Sequence, residues 1–404
     1  MPSSTVVRQE PSAAASGRLR APYTREDLAA LVARYGSPLL VVDCDQVRER
    51  YRRLAAALPG VELHYALKPL PDPAVIATLK AVGASFDLAT SGEVEVVRAA
   101  GVAPQRCIHT HPIKRDADIR DALRFGVRLF VADNPDELGK FVRHRKRAEV
   151  LLRVAFRASD AVCDLSRKFG CAPEAVPELL KVAAQLGVRV AGLSFHAGSQ
   201  AATPAMHAAA VDACGALIRE AAAAGRGELG MLDIGGGFPV EYQEPVMPIE
   251  QFCAPIVAAL KRLPPGIRVI AEPGRYIAAP AGTAVVSVVG RAEREGRWWY
   301  YLDDGVYGLF SGQLFDRVRY RIDCLRASGP LRPSVLAGPT CDSIDVIDES
   351  LLLPPLEVGD LLVGRNMGAY TSSTSTDFNF VRRARVLAVN LHADDATVVT
   401  LAQR

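Results

Sequence analysis

The sequence predicts an α/β protein, a (β/α)8 TIM-like barrel followed by a C-terminal antiparallel β-domain. Three observations carry that expectation. Between about residues 60 and 275, eight short β-branched runs alternate with helical patterns. Beyond residue 280 the texture changes to strand-like runs separated by Gly and Pro turns. The length, 404 residues, exceeds the usual size of one compact domain.

In chain order, the barrel strands are expected at VELHYALK (61–68), SFDLAT (85–90), CIHT (107–110), RLFVAD (128–133), EVLLRVAF (149–156), VAGLSFHA (190–197), MLDIGG (231–236) and VIAEPGR (269–275). Segments such as DPAVIATLKAVG (72–83) and PEAVPELLKVAAQLG (173–187) carry helical periodicity between them. Ser91 ahead of GEVEVV, and Asn134 ahead of Pro135, mark helix starts. Eight βα units are the number that closes a parallel barrel; a doubly wound open sheet is the alternative that periodicity leaves standing. AVVSVVGRAE, RWWYYLDD, VLAVNLHA and ATVVTLA then read as antiparallel strands, and LLVVDC (39–44) is a candidate to join their sheet. The expected divisions are a flexible tail and lead-in over 1–36, a barrel over 37–280, with 37–44 free to pair with the second sheet, and a β-domain over 281–404.

Bulk chemistry excludes several classes. Lys and Arg number 48 against 45 Asp and Glu, a net charge of +3, and no basic stripe points to nucleic acid. The densest basic stretch, FVRHRKR (141–147), falls where a helix should end, which suits a solvated face favoured by the helix dipole. The eight cysteines show neither CxxC pairs nor Cys/His ligand spacing, so neither a zinc site nor a disulfide scaffold is expected, and reduced thiols in the cytoplasm are. The first 20 residues lack the apolar core of a signal peptide, and no apolar run reaches membrane-spanning length.

Strand C-termini in such a barrel face one mouth. Reading off those positions brings together Lys68, Asp87 with Glu93 in the following loop, Arg153, His196 with Ser199, the Gly235-Gly236-Gly237 turn, and Glu272 with Gly274 and Arg275. Each has a plain alternative. Lys68 either snorkels to solvent or forms an imine. The glycines make either a tight turn or a nest of backbone N–H groups for a phosphate. His196 is a core histidine or a ring stacked on a planar ligand, and Glu272 with Arg275 is an ordinary ion pair or part of a site. Together they offer a phosphate nest, a cation, an aldehyde-binding lysine and an acid for a ring nitrogen, the parts a planar phosphorylated cofactor needs.

These residues resemble the fold-type III pyridoxal-phosphate decarboxylases, the ornithine/lysine/diaminopimelate decarboxylase family, whose barrel is shared with alanine racemase. HYALK (64–68), FDLAT-SGE (86–93), SFHAGSQ (194–200), LDIGGGFP (232–239) and EPGRY (272–276) look like its barrel motifs. DDGVYG (303–308), GPTCDSID (338–345) and GAYT (368–371) look like those of its β-domain. The resemblance implies Lys68 as the lysine bonded to pyridoxal 5'-phosphate and Glu272 as the partner of its ring nitrogen. It implies His196 stacked on the ring, with Ser199, Gly236, Gly237, Arg275 and Tyr370 around the phosphate. It also implies a homodimer in which Cys341, as proton donor, and Asp342 enter the other subunit's site.

Among subfamilies the chain most resembles ornithine decarboxylases. It carries Cys341-Asp342 where diaminopimelate decarboxylases typically carry Cys-Glu, and a second acid, Asp316 beside Phe315, in GQLFDR (312–317). Two carboxylates facing a terminal ammonium imply a small basic amino acid such as ornithine, or lysine one methylene longer, with Phe378 as an aromatic near the substrate. Asp316 taken alone is an exposed strand-end acid. Two segments depart from the family pattern: HTHPIK (109–114) has two histidines in place of a smaller Asn-Pro type sequence, and TDFNF (376–380) lacks the glycine often found after FN. A diaminopimelate, 2,4-diaminobutyrate or specialised-metabolism substrate, a racemase, and a non-catalytic regulator-binding homologue are the alternatives.

Overall fold

A computed structural model describes residues 5–6, 23–156, 161–163, 167–325 and 328–392. The expectations of a floppy tail over 1–20 and of a strand at ATVVTLA lie outside these residues, apart from a two-residue strand at Thr5–Val6.

Among the described residues, eight parallel strands close into a barrel, which removes the open doubly wound alternative. In chain order they are Val61–Ala66, Ser85–Leu88, Cys107–His109, Leu129–Ala132, Glu149–Val154, Arg189–Phe195, Met231–Asp233 and Arg268–Ala271. Closure is made by the last strand on the first, with Val269 opposite Val61. Six lie within the segments that the sequence marked, while Arg189–Phe195 and Arg268–Ala271 each begin one residue earlier, and all eight stop short of the marked C-terminal end, where the chain turns into the mouth.

The helices begin where side-chain oxygens meet orphan backbone N–H groups. Asp72 accepts from Ala74 and Val75 ahead of Pro73–Ala81, and Asn134 accepts from Glu137 ahead of Pro135–Lys140. Helix Ser91–Ala99 corrects one expectation. Its cap is Thr90, whose hydroxyl accepts from the Glu93 amide, and Ser91 is the first helical residue, its hydroxyl bonded to Asp118 and Asp121.

Leu39–Asp43 pairs antiparallel with Gly282–Arg294 and parallel with Arg385–Val389, so it is a strand of the second sheet although it precedes the barrel. That sheet is mostly antiparallel; Arg297–Leu302 beside Arg332–Ala337 is another parallel pair. The antiparallel expectation is corrected to that extent. No helix among the described residues is long and apolar enough to cross a membrane.

Candidate active site

Strand periodicity explains what reaches the mouth. Ile108, Leu151, Met231 and Ile270 belong to a small apolar cluster of their own, separate from the large core that packs strands on helices. Two residues further along the same strand faces come Thr110, Arg153, Asp233 and Glu272. Above this apolar plug lies a cavity of about 310 Å³, lined by Lys68, Thr110, His111, Arg153, Phe169, His196, Ser199, Gly236, Gly237, Glu272, Gly274, Arg275, Asp316 and Tyr370 among others.

Lys68 stands two residues past the first strand, and its Nζ donates to Asp87 Oδ2 at 3.2 Å. The lysine side chain is 43% accessible and that of Asp87 only 2%, so the ammonium faces the cavity and the carboxylate is walled in. Burial acts to depress the Lys68 ammonium, but Asp87 and Glu272 across the cavity hold it well above its ordinary range. Burial pushes Asp87 up to about 7, against the pull of Lys68 and of the Thr110 hydroxyl, which donates at 2.5 Å. Asp233 is driven up by burial and then by the charge of Glu272, so it keeps a proton and shares a hydrogen bond with Glu272. Its Oδ1 accepts from the Gly235 amide at 2.8 Å. Burial, then Arg153 and Lys68, holds His196 well below its ordinary value, which leaves a neutral ring. Its Nδ1 accepts from the Gly198 amide at 3.1 Å, so the ring proton sits on Nε2.

At the opposite end Arg275 donates to Tyr242 Oη at 3.0 Å and Ser199 Oγ at 3.3 Å, pairs with Asp316 at 2.6 Å, and lies 4.7 Å over the Tyr370 ring. Its Nε is buried and has no partner among the described residues. Facing it, the N–H groups of Gly236 and Gly237 likewise donate to nothing among the described residues. No side chain fits at either glycine. A Cβ on Gly236 would lie 2.6 Å from the Glu272 carbonyl oxygen, and one on Gly237, with φ +97°, 2.2 Å from that of Gly198.

The sequence-predicted residues divide. Lys68, Arg153, His196, Ser199, Gly236, Gly237, Glu272, Gly274, Arg275, Asp316 and Tyr370 meet at the cavity. Asp87 stands directly behind Lys68, and Glu93 does not line the cavity itself but accepts from the amide of Ala89, which does. Asp316 follows the short helix Gly312–Phe315, which replaces the expected strand end, and its carboxylate is engaged by Arg275. Cys341, Asp342, Phe315 and Phe378 do not line the cavity of their own chain. Tyr307 donates to Asp342 at 2.5 Å and stacks on Phe378 at 4.4 Å, while the Asn379 amide donates to Cys341 Sγ at 3.4 Å. Sequence reasoning missed Thr110, Asp233, Tyr242 and His111. The period-two step from Ile108 to Thr110 and from Met231 to Asp233 was a usable signal for the first two. Tyr242, in an irregular loop, left none.

A lysine facing carboxylates at one end and, at the other, unengaged glycine amides with a guanidinium whose Nε is free among the described residues, suit a small planar aldehyde that carries a phosphate. On this fold they define an enzyme that uses pyridoxal phosphate. Residues 44–279 match the family model described as "Pyridoxal-dependent decarboxylase, pyridoxal binding domain". The structure is similar to that of lysine/ornithine decarboxylase from Vibrio vulnificus complexed with cadaverine (TM-score 0.90, 52% identity, 96% of this chain and 100% of that one). It is also similar to the complex of that protein with putrescine (TM-score 0.88, 53% identity, 93% and 100%). Lysine/ornithine decarboxylase of Selenomonas ruminantium is 36% identical over 88% of this chain and 90% of its own length. The chain belongs to the pyridoxal-dependent decarboxylase family, and is a fold-type III amino-acid decarboxylase related to ornithine decarboxylase.

Proposed function

We propose that this decarboxylase acts on L-ornithine or L-lysine, releasing carbon dioxide and the corresponding diamine, in a homodimer whose two active sites are each completed by the other subunit. The observation that supports it most is the division of the polar groups. The barrel mouth holds the cofactor-sized cavity and Asp316, while Cys341 and Asp342 stand outside that cavity on the same chain. Solved relatives bind cadaverine and putrescine, the diamines that lysine and ornithine leave behind.

In this reading Lys68 would hold the cofactor by its aldehyde group, with the Nζ amine as the group that does so. Glu272 takes the ring nitrogen, Asp233 steadies that carboxylate, Arg153 supplies its counter-charge, and His196 packs on the ring. Asp87 holds Lys68, and Glu93 holds the loop beneath. Ser199, Gly236, Gly237, Gly274, Arg275 and Tyr370 hold the phosphate. Bound pyridoxal phosphate supplies a ring that accepts the electron pair left by departing carbon dioxide. Cys341 of the partner subunit returns a proton from its Sγ to the α-carbon. Asp342 of the partner subunit and Asp316 face the terminal ammonium, with Phe315 and Phe378 along the methylenes. The reading places the enzyme in cytoplasmic polyamine biosynthesis.

The test is a carbon-dioxide release screen across ornithine, lysine, arginine, diaminopimelate and 2,4-diaminobutyrate. Ornithine and lysine are expected to turn over with specificity constants within roughly 10–200-fold of each other, because one methylene is worth no more. Turnover of diaminopimelate or 2,4-diaminobutyrate in their place would overturn the substrate assignment.

A further inference from the structure

Three successive carbonyls of the glycine turn are each held by a hydrogen bond, and two of the donors, Ala201 and His207, lie outside the cavity lining. Gly235 O accepts from the Glu272 amide at 2.8 Å, Gly237 O from the Ala201 amide at 3.0 Å, and Gly236 O from His207 Nε2 at 3.0 Å. Two of the donors are backbone; the third is a side chain from helix Ala205–Ala223. In a trans peptide the C=O and the following N–H point in opposite directions. Pulling the Gly236 carbonyl outward therefore turns the Gly237 N–H inward. We propose that His207 is a positioning residue for the phosphate cradle, aiming the Gly237 amide into the cavity through its bond to the Gly236 carbonyl.

The surroundings of His207 explain nothing else about it. The residue is fully buried, stacked on Phe238 at 5.6 Å and edge-on to Phe195 and Phe252. Such a niche would take a hydrocarbon ring more easily, since the Nδ1 of His207 is buried without a partner. Because a carbonyl only accepts, the proton sits on Nε2. Burial also lowers the ring to about 4, against the Gly236 hydrogen bond, so it stays neutral and the donor persists across the physiological range. The reach is short: a Cβ on Gly237 would lie 3.7 Å from His207 Cε1.

This inference rests on the proposed reading of Gly236 and Gly237 as phosphate ligands, and the experiment separates the two. Affinities for pyridoxal phosphate and for phosphate-free pyridoxal are measured on wild type, His207→Phe and His207→Gln, with thermal unfolding followed in parallel. Wild type is expected to prefer the phosphorylated form. His207→Phe, which keeps the packing and loses the donor, is expected to bind it about tenfold more weakly, the usual worth of one hydrogen bond, with pyridoxal affinity unchanged. His207→Gln, which keeps an N–H donor, is expected to recover most of that loss. Equal losses for both ligands, no loss at all, or failure of both variants to fold would each overturn the positioning role. A wild-type protein that binds both ligands equally would instead overturn the phosphate reading beneath it.

Discussion

The barrel mouth and the β-domain patch carry the same kinds of group in opposite settings. In the mouth, Asp87, Asp233 and Glu272 are all under 10% exposed, and burial drives Asp87 and Asp233 above the usual carboxylate range. In the patch, Asp342 is held below that range by the Tyr307 hydroxyl, and Cys341 stands exposed. Its aromatics are open too, Phe378 at 41% and Phe380 at 96%. Burial tunes the first region inside one chain. The second presents apolar rings and a paired acid to water, as a surface made to be covered does. The contrast supports two half-sites, and each experiment below tests whether they belong to one reaction.

The largest effect is expected at Lys68. Lys68→Ala should abolish the visible absorbance of the cofactor-loaded protein and lower turnover by roughly 10⁴-fold or more; an unchanged spectrum would remove the mouth from the chemistry. Next is Cys341→Ala, expected to keep the cofactor spectrum while turnover falls by roughly 10²–10⁴-fold, or the proton goes to the wrong carbon. Normal activity there would detach the patch from the mouth. Mixing the two inactive variants sharpens the comparison. In a random population of dimers about one site in four combines an intact Lys68 with an intact Cys341, so about a quarter of wild-type activity should return. None returning, with subunit exchange confirmed, would confine the site to one chain.

Smaller effects probe charge. Asp316→Asn is expected to raise KM for the diamino acid by roughly tenfold, one charge-assisted hydrogen bond, with kcat less affected; an equal fall in kcat at constant KM would assign Asp316 to the chemistry. Asp304 gives a contrast within the β-domain, since it is buried, with Oδ2 unpartnered, and burial raises it to about 7. Between the ordinary aspartate range and pH 7 the folded state then holds a proton that the unfolded chain has released. Stability should therefore fall as pH rises through that window, by an amount on the order of 1–4 kcal/mol, and Asp304→Asn should flatten the slope. Urea midpoints at pH 5 and pH 8 measure it; parallel slopes in variant and wild type would show that Asp304 does not set the dependence.

Much of the barrel was legible because each strand is a local, period-two object flanked by local helix signals. Asn134 and Pro135 announced their helix correctly, whereas Thr90 and Ser91, two hydroxyl residues side by side, did not show which would take the cap. The short helix Gly312–Phe315 was missed because four residues carry too little periodicity to separate a turn of helix from a strand end. Parallel pairing of Arg297–Leu302 with Arg332–Ala337 was hidden for another reason: two distant segments decide it, and neither records it alone.

By itself, the sequence determined that a lysine, two acids, an arginine and a glycine turn would end neighbouring strands, because alternation along a strand assigns the facing side within a single segment. Only the tertiary structure decided who touches whom. That Arg275 holds Asp316, that Glu272 and burial together raise Asp233, and that Cys341 lies outside the cavity that Lys68 lines within one chain depend on contacts between segments up to hundreds of residues apart. Burial belongs to the same class. The environment that lifts Asp87 and lowers His196 exists only once eight strands have closed around them and buried both groups.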